Sequence, residues 1–141
     1  MSLDVCLERK KRVSFDEGKS YEEEIDEVYQ ANITHNLGEM ASKAGLYEAL
    51  WRPYRLRLNY TKELEADSKK EWEFEDSQTI LAEELIPVIE KGLAKLKAKP
   101  AYYKKYDSPN GWGLYEHFVP FVKEYLKACK QFPKSVVKVS R

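Results

Sequence analysis

Apolar and polar positions alternate over residues 2–8, with Leu3, Val5 and Leu7 on one face and Asp4, Cys6 and Glu8 on the other. A period of two predicts a strand with one buried face. Val13 and Phe15 can prolong it beyond the basic connection Lys10-Lys-Arg12. Glu22-Glu-Glu24 reads as a solvated charge run. Tyr29, Ala31 and Ile33 then alternate with Val28, Gln30 and Asn32, which predicts a second strand from residue 25 or 27 to 33, paired antiparallel with the first.

The period changes after Ile33. Leu37, Met40, Ala41 and Ala44 recur at i, i+3, i+4 and i+7, the stripe of an amphipathic helix. Thr34 or Asn36 can cap its start, and Asn36 with Glu39 has the spacing of a capping box. Gly45 stands where a left-handed C-cap belongs. Leu46–Trp51 predicts a further helical turn, stopped by Pro53. Arg55-Leu-Arg-Leu-Asn-Tyr60 and Glu71-Trp-Glu-Phe-Glu75 alternate again, and predict an extra hairpin within a variable excursion at 54–75.

From a cap at Asp76 or Ser77 the stripe Leu81, Leu85, Ile89, Leu93 and Leu96 predicts the longest helix, to about Lys99, with a kink or break at Pro87. Asp107-Ser-Pro-Asn-Gly-Trp-Gly113 is turn chemistry. A last helix from about Leu114 to Phe132 carries Phe118, Phe121, Val122, Tyr125 and Cys129 on its apolar stripe, and Pro133 ends it. Ser135-Val-Val-Lys-Val139 is a closing strand, best paired with residues 2–8. The expected fold is therefore α+β: a small antiparallel sheet formed by both termini and a second strand, covered by about three main helices.

Length and composition fit this picture. The 141 residues suit one domain spanning 1–141, and 43% hydrophobic with 13% aromatic residues can fill one core. Net charge is zero, so no global field points to nucleic acid or membrane. The distribution is uneven, however: residues 1–90 hold 12 Lys/Arg against 21 Asp/Glu, whereas residues 91–141 hold 12 against 3. The simplest reading is that the two halves neutralise one another within the fold. Two distant cysteines, no secretory leader and no apolar run of about 20 residues lead to the expectation of a cytoplasmic protein with reduced thiols and no membrane partner.

The candidate chemistry clusters between Asn32 and Pro53. A helix start offers free N–H groups and partial positive charge, suited to a small anionic ligand. Asn32, His35 and Asn36 can add polar groups there, Arg52 can clamp a carboxylate or phosphate, and Trp112 can stack on a planar ligand. His35 and Glu39, four apart, can also share a metal, with His117 or Glu116 as a third ligand, or His35 can serve as a general base in a hydrolase or transferase. Each residue has an ordinary role as well, His35 and Asn36 as cap residues and Arg52 as an ion-pair partner. Asn110-Gly-Trp-Gly113 lacks the lysine and helix register of a phosphate loop, and Cys129 belongs to the core. Lysines 95, 97, 99, 104 and 105, interleaved with Tyr102, Tyr103 and Tyr106, are a basic and aromatic cluster, read as solvated rim and core in preference to a nucleic-acid surface.

Ile33-Thr-His-Asn-Leu-Gly-Glu-Met-Ala41, Leu50-Trp-Arg-Pro53 and Asn110-Gly-Trp-Gly113 resemble the motifs of a group of small uncharacterised bacterial and phage proteins. The resemblance carries over no activity and no catalytic residue, and no cofactor is expected. It implies that the three motifs belong together and that 54–75 is an insertion. The functional expectation is a non-enzymatic ligand-binding or interaction protein, with homo-oligomerisation open, its site at the start of the first helix.

Overall fold

The computed structural model describes residues 2–14, 21–57, 60–67 and 80–141. Strand β1 (Ser2–Ser14) pairs antiparallel with β2 (Tyr21–Thr34) on one side and with β3 (Val136–Ser140) on the other, giving the order β2-β1-β3. The register sets Leu3 opposite Ile33, Val5 between Ala31 and Val139, and Leu7 between Tyr29 and Val137. Those residues form the inner face of the sheet, and Leu3, Val5 and Leu7 are wholly buried. The α+β fold with both termini in one small sheet is the expected one.

Both hairpin strands run further than the alternation indicates. The register places Lys11 opposite Glu24 and Arg12 opposite Glu23, so two runs of opposite sign occupy facing positions beyond a bulge at Leu7/Glu8. Segments read as a polar connection and a solvated run are therefore strand.

A single 3₁₀ turn (His35–Leu37) leads into α1 (Gly38–Lys43). The stripe Leu37, Met40, Ala41 and Ala44 is buried throughout. Gly45, at φ 75°, ends α1 with the paired bonds Leu46 N–H to Ala41 O (2.8 Å) and Gly45 N–H to Ser42 O (3.1 Å), the double bond pattern that satisfies the orphan carbonyls of a helix end. Helix α2 (Tyr47–Trp51) follows.

The extra hairpin is corrected. Pro53–Leu56 is a 3₁₀ turn with Pro53 in its first position, and Lys62–Asp67 is a helix, α3, whose Thr61 hydroxyl accepts the Leu64 N–H at 3.1 Å. The second half of the expected hairpin, Glu71–Glu75, lies outside the described residues, as do the caps expected at Asp76 and Ser77. A carboxylate hub holds this region. Glu65 accepts from Tyr54 Oη (2.6 Å), Arg55 Nη2 (3.0 Å) and the Tyr60 hydroxyl.

Helix α4 (Ala82–Ala98) begins later than expected. Its first N–H groups donate to backbone far downstream, Ala82 to Ser135 O (2.9 Å) and Glu83 to Pro133 O (2.9 Å), while the Glu84 carboxylate accepts the Leu81 N–H at 2.7 Å. The turn before β3 thus satisfies the helix start, a role that a serine or aspartate usually fills. The helix continues through Pro87 without a break, as α6 (Tyr115–Gln131) does through Pro120. Both prolines are exposed. Between these helices lies α5 (Pro100–Lys104). Leu85, Ile89 and Leu96 of α4 and Phe118, Val122 and Tyr125 of α6 are among the buried side chains of a core that also takes in the inner face of the sheet.

Candidate functional site

The turn from β2 into α1 brings the three motifs of the sequence together. His35 sits at its centre. Its Nε2 lies 2.8 Å from the Ser2 carbonyl and its Nδ1 accepts the indole N–H of Trp51 at 3.1 Å. An indole nitrogen only donates, so Nδ1 is the acceptor and Nε2 carries the proton given to Ser2. No ring lone pair is left over for a metal ion or for abstracting a proton. In this arrangement the imidazole bolts β1 and α2 to the start of α1, and its two bonds go to Ser2 and Trp51 and not to Glu39, Glu116 or His117, the partners expected for a metal ligand or general base. His117 pairs instead with its neighbour Glu116 at 3.8 Å on an exposed helix surface. Among the described residues no three His, Cys, Asp or Glu side chains are gathered closely enough to hold a metal.

Asn36 bridges to the distant loop. Its backbone N–H is capped by Thr34 Oγ1 at 3.3 Å, and its side-chain Nδ2 donates to the Trp112 carbonyl at 2.8 Å. It therefore forms no capping box with Glu39. Gly113, at φ 112°, packs so closely here that a Cβ on it would meet Asn36 Cβ at 2.9 Å and Thr34 Cγ2 at 3.3 Å. Only glycine fits that approach and that φ.

Loop 107–113 is fixed by its own bonds as well. The Asn110 carboxamide oxygen accepts from Ser108 Oγ (2.6 Å) and from the Trp112 N–H (2.9 Å), Ser108 N–H donates to Gly113 O (3.0 Å), and Asp107 accepts the Tyr115 N–H (2.7 Å). The product is an exposed ring, Trp112 at 71%, on a braced backbone.

The other two candidates go elsewhere. Asn32 lies on the outer face of the sheet and donates to Asp4 Oδ1 at 2.6 Å, across its register partner. Arg52 reaches Tyr54 Oη at 3.4 Å, at the margin of the Glu65 hub. Sequence reasoning missed that hub and Arg141, which donates to Trp51 O at 2.9 Å; Tyr47 stacks on the same Trp51 at 5.4 Å. Thr61 before Lys-Glu-Leu-Glu-Ala, a cap ahead of good helix formers, was the available signal for α3.

The electrostatics of the hub follow from its bonds. Burial pushes the Glu65 carboxyl up, but donation from Arg55, Tyr54 and Tyr60 outweighs it and holds the group down at about 2. The Tyr54 phenol moves the other way, up to about 12, through burial and the carboxylate beside it.

Comparison with protein-family models, with curated proteins and with solved structures found no match for this chain. Among the described residues no helix is long and apolar enough to cross a membrane.

Proposed function

We propose that the protein is a non-enzymatic binding protein that takes a planar or apolar group of its ligand on the ring of Trp112, at the start of α1. One observation carries the reading: an indole 71% exposed on a loop whose backbone is held by Asn36, Asn110 and two left-handed glycines. A tryptophan presents large area at little entropic cost, and bracing the backbone beforehand removes the ordering penalty of binding. Aromatic rings of this kind dominate recognition surfaces. His35 and Asn36 enter the function as positioning residues, His35 by locking the turn and Asn36 by carrying the loop.

The test is ligand screening, from co-purifying molecules and a library of planar aromatic compounds, read by the indole N–H resonance that Trp112→Phe assigns. A binder should shift that resonance and lose about tenfold or more in affinity in Trp112→Ala, at an unchanged melting temperature. Binders that keep full affinity for Trp112→Ala refute the proposal.

A further inference from the structure

A second feature lies at the other end of α1. A cleft of about 350 Å³ opens between α1, α4 and α5, lined by Lys43, Lys95, Ala98, Lys99, Tyr102 and Tyr103. Three lysines line it and no carboxylate residue does. Among the described residues none of the three lysines forms an ion pair, whereas Lys130 and Lys134 farther along pair with Glu90 at 2.8 Å and Glu83 at 2.9 Å.

The aromatic wall adds a donor. The Tyr102 hydroxyl accepts from Tyr106 at 3.5 Å, which leaves its own O–H uncommitted to that bond, and the Lys105 ammonium lies 4.5 Å over the Tyr102 ring. The hydrogen bond from Tyr106 and then the charges of Lys43, Lys105 and Lys99 pull the Tyr102 phenol below its ordinary range. Like charges held together repel one another, and a multiply charged anion relieves that repulsion.

We infer that this cleft is a binding site for a small phosphate compound carrying two or more negative charges, held by Lys43, Lys95 and Lys99 with the Tyr102 hydroxyl as a further donor. Lysine suits phosphate as a mobile point charge with three donors. A cleft of about 350 Å³ is at the small end of ligand sites, enough for a small molecule and short for a polymer. The inference stands on residues other than Trp112 and holds or fails independently of it. The competing structural role is dipole compensation: Lys43 lies in the last turn of α1, and a Cβ on Gly45 would be 3.8 Å from Lys95 Nζ.

Titration of the full chain with inorganic pyrophosphate at constant ionic strength tests it. Saturable one-to-one binding is expected, weakened roughly fivefold or more by each of Lys43→Ala, Lys95→Ala and Lys99→Ala and unchanged by Lys123→Ala on α6. Tyr102→Phe should weaken it less. No saturable binding, or binding indifferent to the three lysines, overturns the inference. So does a lysine series that lowers the melting temperature of the free protein while leaving affinity intact, the signature of helix compensation alone. Tighter lysine-dependent binding of a single-stranded oligonucleotide than of pyrophosphate overturns the small-anion assignment.

Discussion

Gly92 tests the packing of α4 most sharply. It sits in the middle of that helix, where glycine costs about 1 kcal/mol relative to alanine. Propensity alone therefore favours Gly92→Ala. The structure opposes it. A Cβ at residue 92 would lie 2.3 Å from both Cγ and Cδ2 of Leu46 and 3.0 Å from its Cδ1. Leu46 cannot swing aside, since it is wholly buried and its backbone is tied to Ala41 by the end of α1. Overpacking of this kind costs about 1–3 kcal/mol, and contact with the branching carbon puts this case at the upper end. Subtracting about 1 kcal/mol of propensity leaves a net loss of about 2 kcal/mol for Gly92→Ala. Leu46→Ala, a core truncation, should itself cost about 3 kcal/mol. In that background the obstruction is gone and the new methyl fills part of the hole. Gly92→Ala should then stabilise by about 1 kcal/mol, giving a coupling near 3 kcal/mol with reversal of sign. Urea denaturation of the four proteins measures it, with unchanged slopes showing that the denatured states are alike. An equal effect of Gly92→Ala in both backgrounds would refute the close approach of α4 to Leu46.

Three further outcomes are expected. The Tyr125 hydroxyl is buried and meets no hydrogen-bond partner among the described residues, so Tyr125→Phe should raise stability by about 1 kcal/mol in thermal melts; a loss would mean the hydroxyl is satisfied. Burial, with a hydrogen bond to Glu27, pushes the Cys6 thiol up to about 12, and burial alone raises Cys129 to about 12. Both should therefore react slowly with iodoacetamide at about pH 8, buried Cys129 no faster than the chain opens, and rapid native labelling of either would contradict the raised thiols. Glu65, held at about 2 when folded against about 4.3 unfolded, contributes stability that is complete above about pH 5 and lost as pH falls toward 2. The stability gap between the native protein and Glu65→Gln should therefore close over that interval; a gap constant with pH would remove the hub's charge from the account.

Where the sequence was legible, burial had written it. The inward residues of β1 and β2, the Leu37–Ala44 stripe and the apolar rows of α4 and α6 all repeat at the period of their element, because one face of each meets a single core. The illegible parts lacked that contrast. Arg55-Leu-Arg-Leu-Asn-Tyr60 alternates like a strand, yet Pro53 starts a 3₁₀ turn and Glu65 gathers Tyr54, Arg55 and Tyr60 from three directions. A window of six residues cannot register a partner that lies outside it. The start of α4 was misplaced for the same reason, since its capping groups are carbonyls of residues 133 and 135, some fifty positions away.

The candidate site fared differently because nearness in sequence is a poor guide to convergence where strand turns into helix. Asn32, His35 and Arg52 leave the backbone toward Asp4, toward Ser2 and Trp51, and toward Tyr54 respectively. The convergence is long-range. Asn36 meets Trp112, the Glu39 charge bears on Tyr106, and Lys43 shares a cleft with Tyr102. Positions 36, 39 and 43 follow one face of the first helical stretch while 112, 106 and 102 run past it in the opposite sense. The exposed indole and the lysine cleft therefore lie toward opposite ends of one seam, along which positions 36 and 43 are roughly 10 Å apart by helical rise. Trp112 is not among the residues that line the cleft, so Trp112→Ala should leave pyrophosphate affinity unchanged. A loss of pyrophosphate binding in Trp112→Ala would mean that the loop shapes the cleft and that the indole and the lysines form a single site.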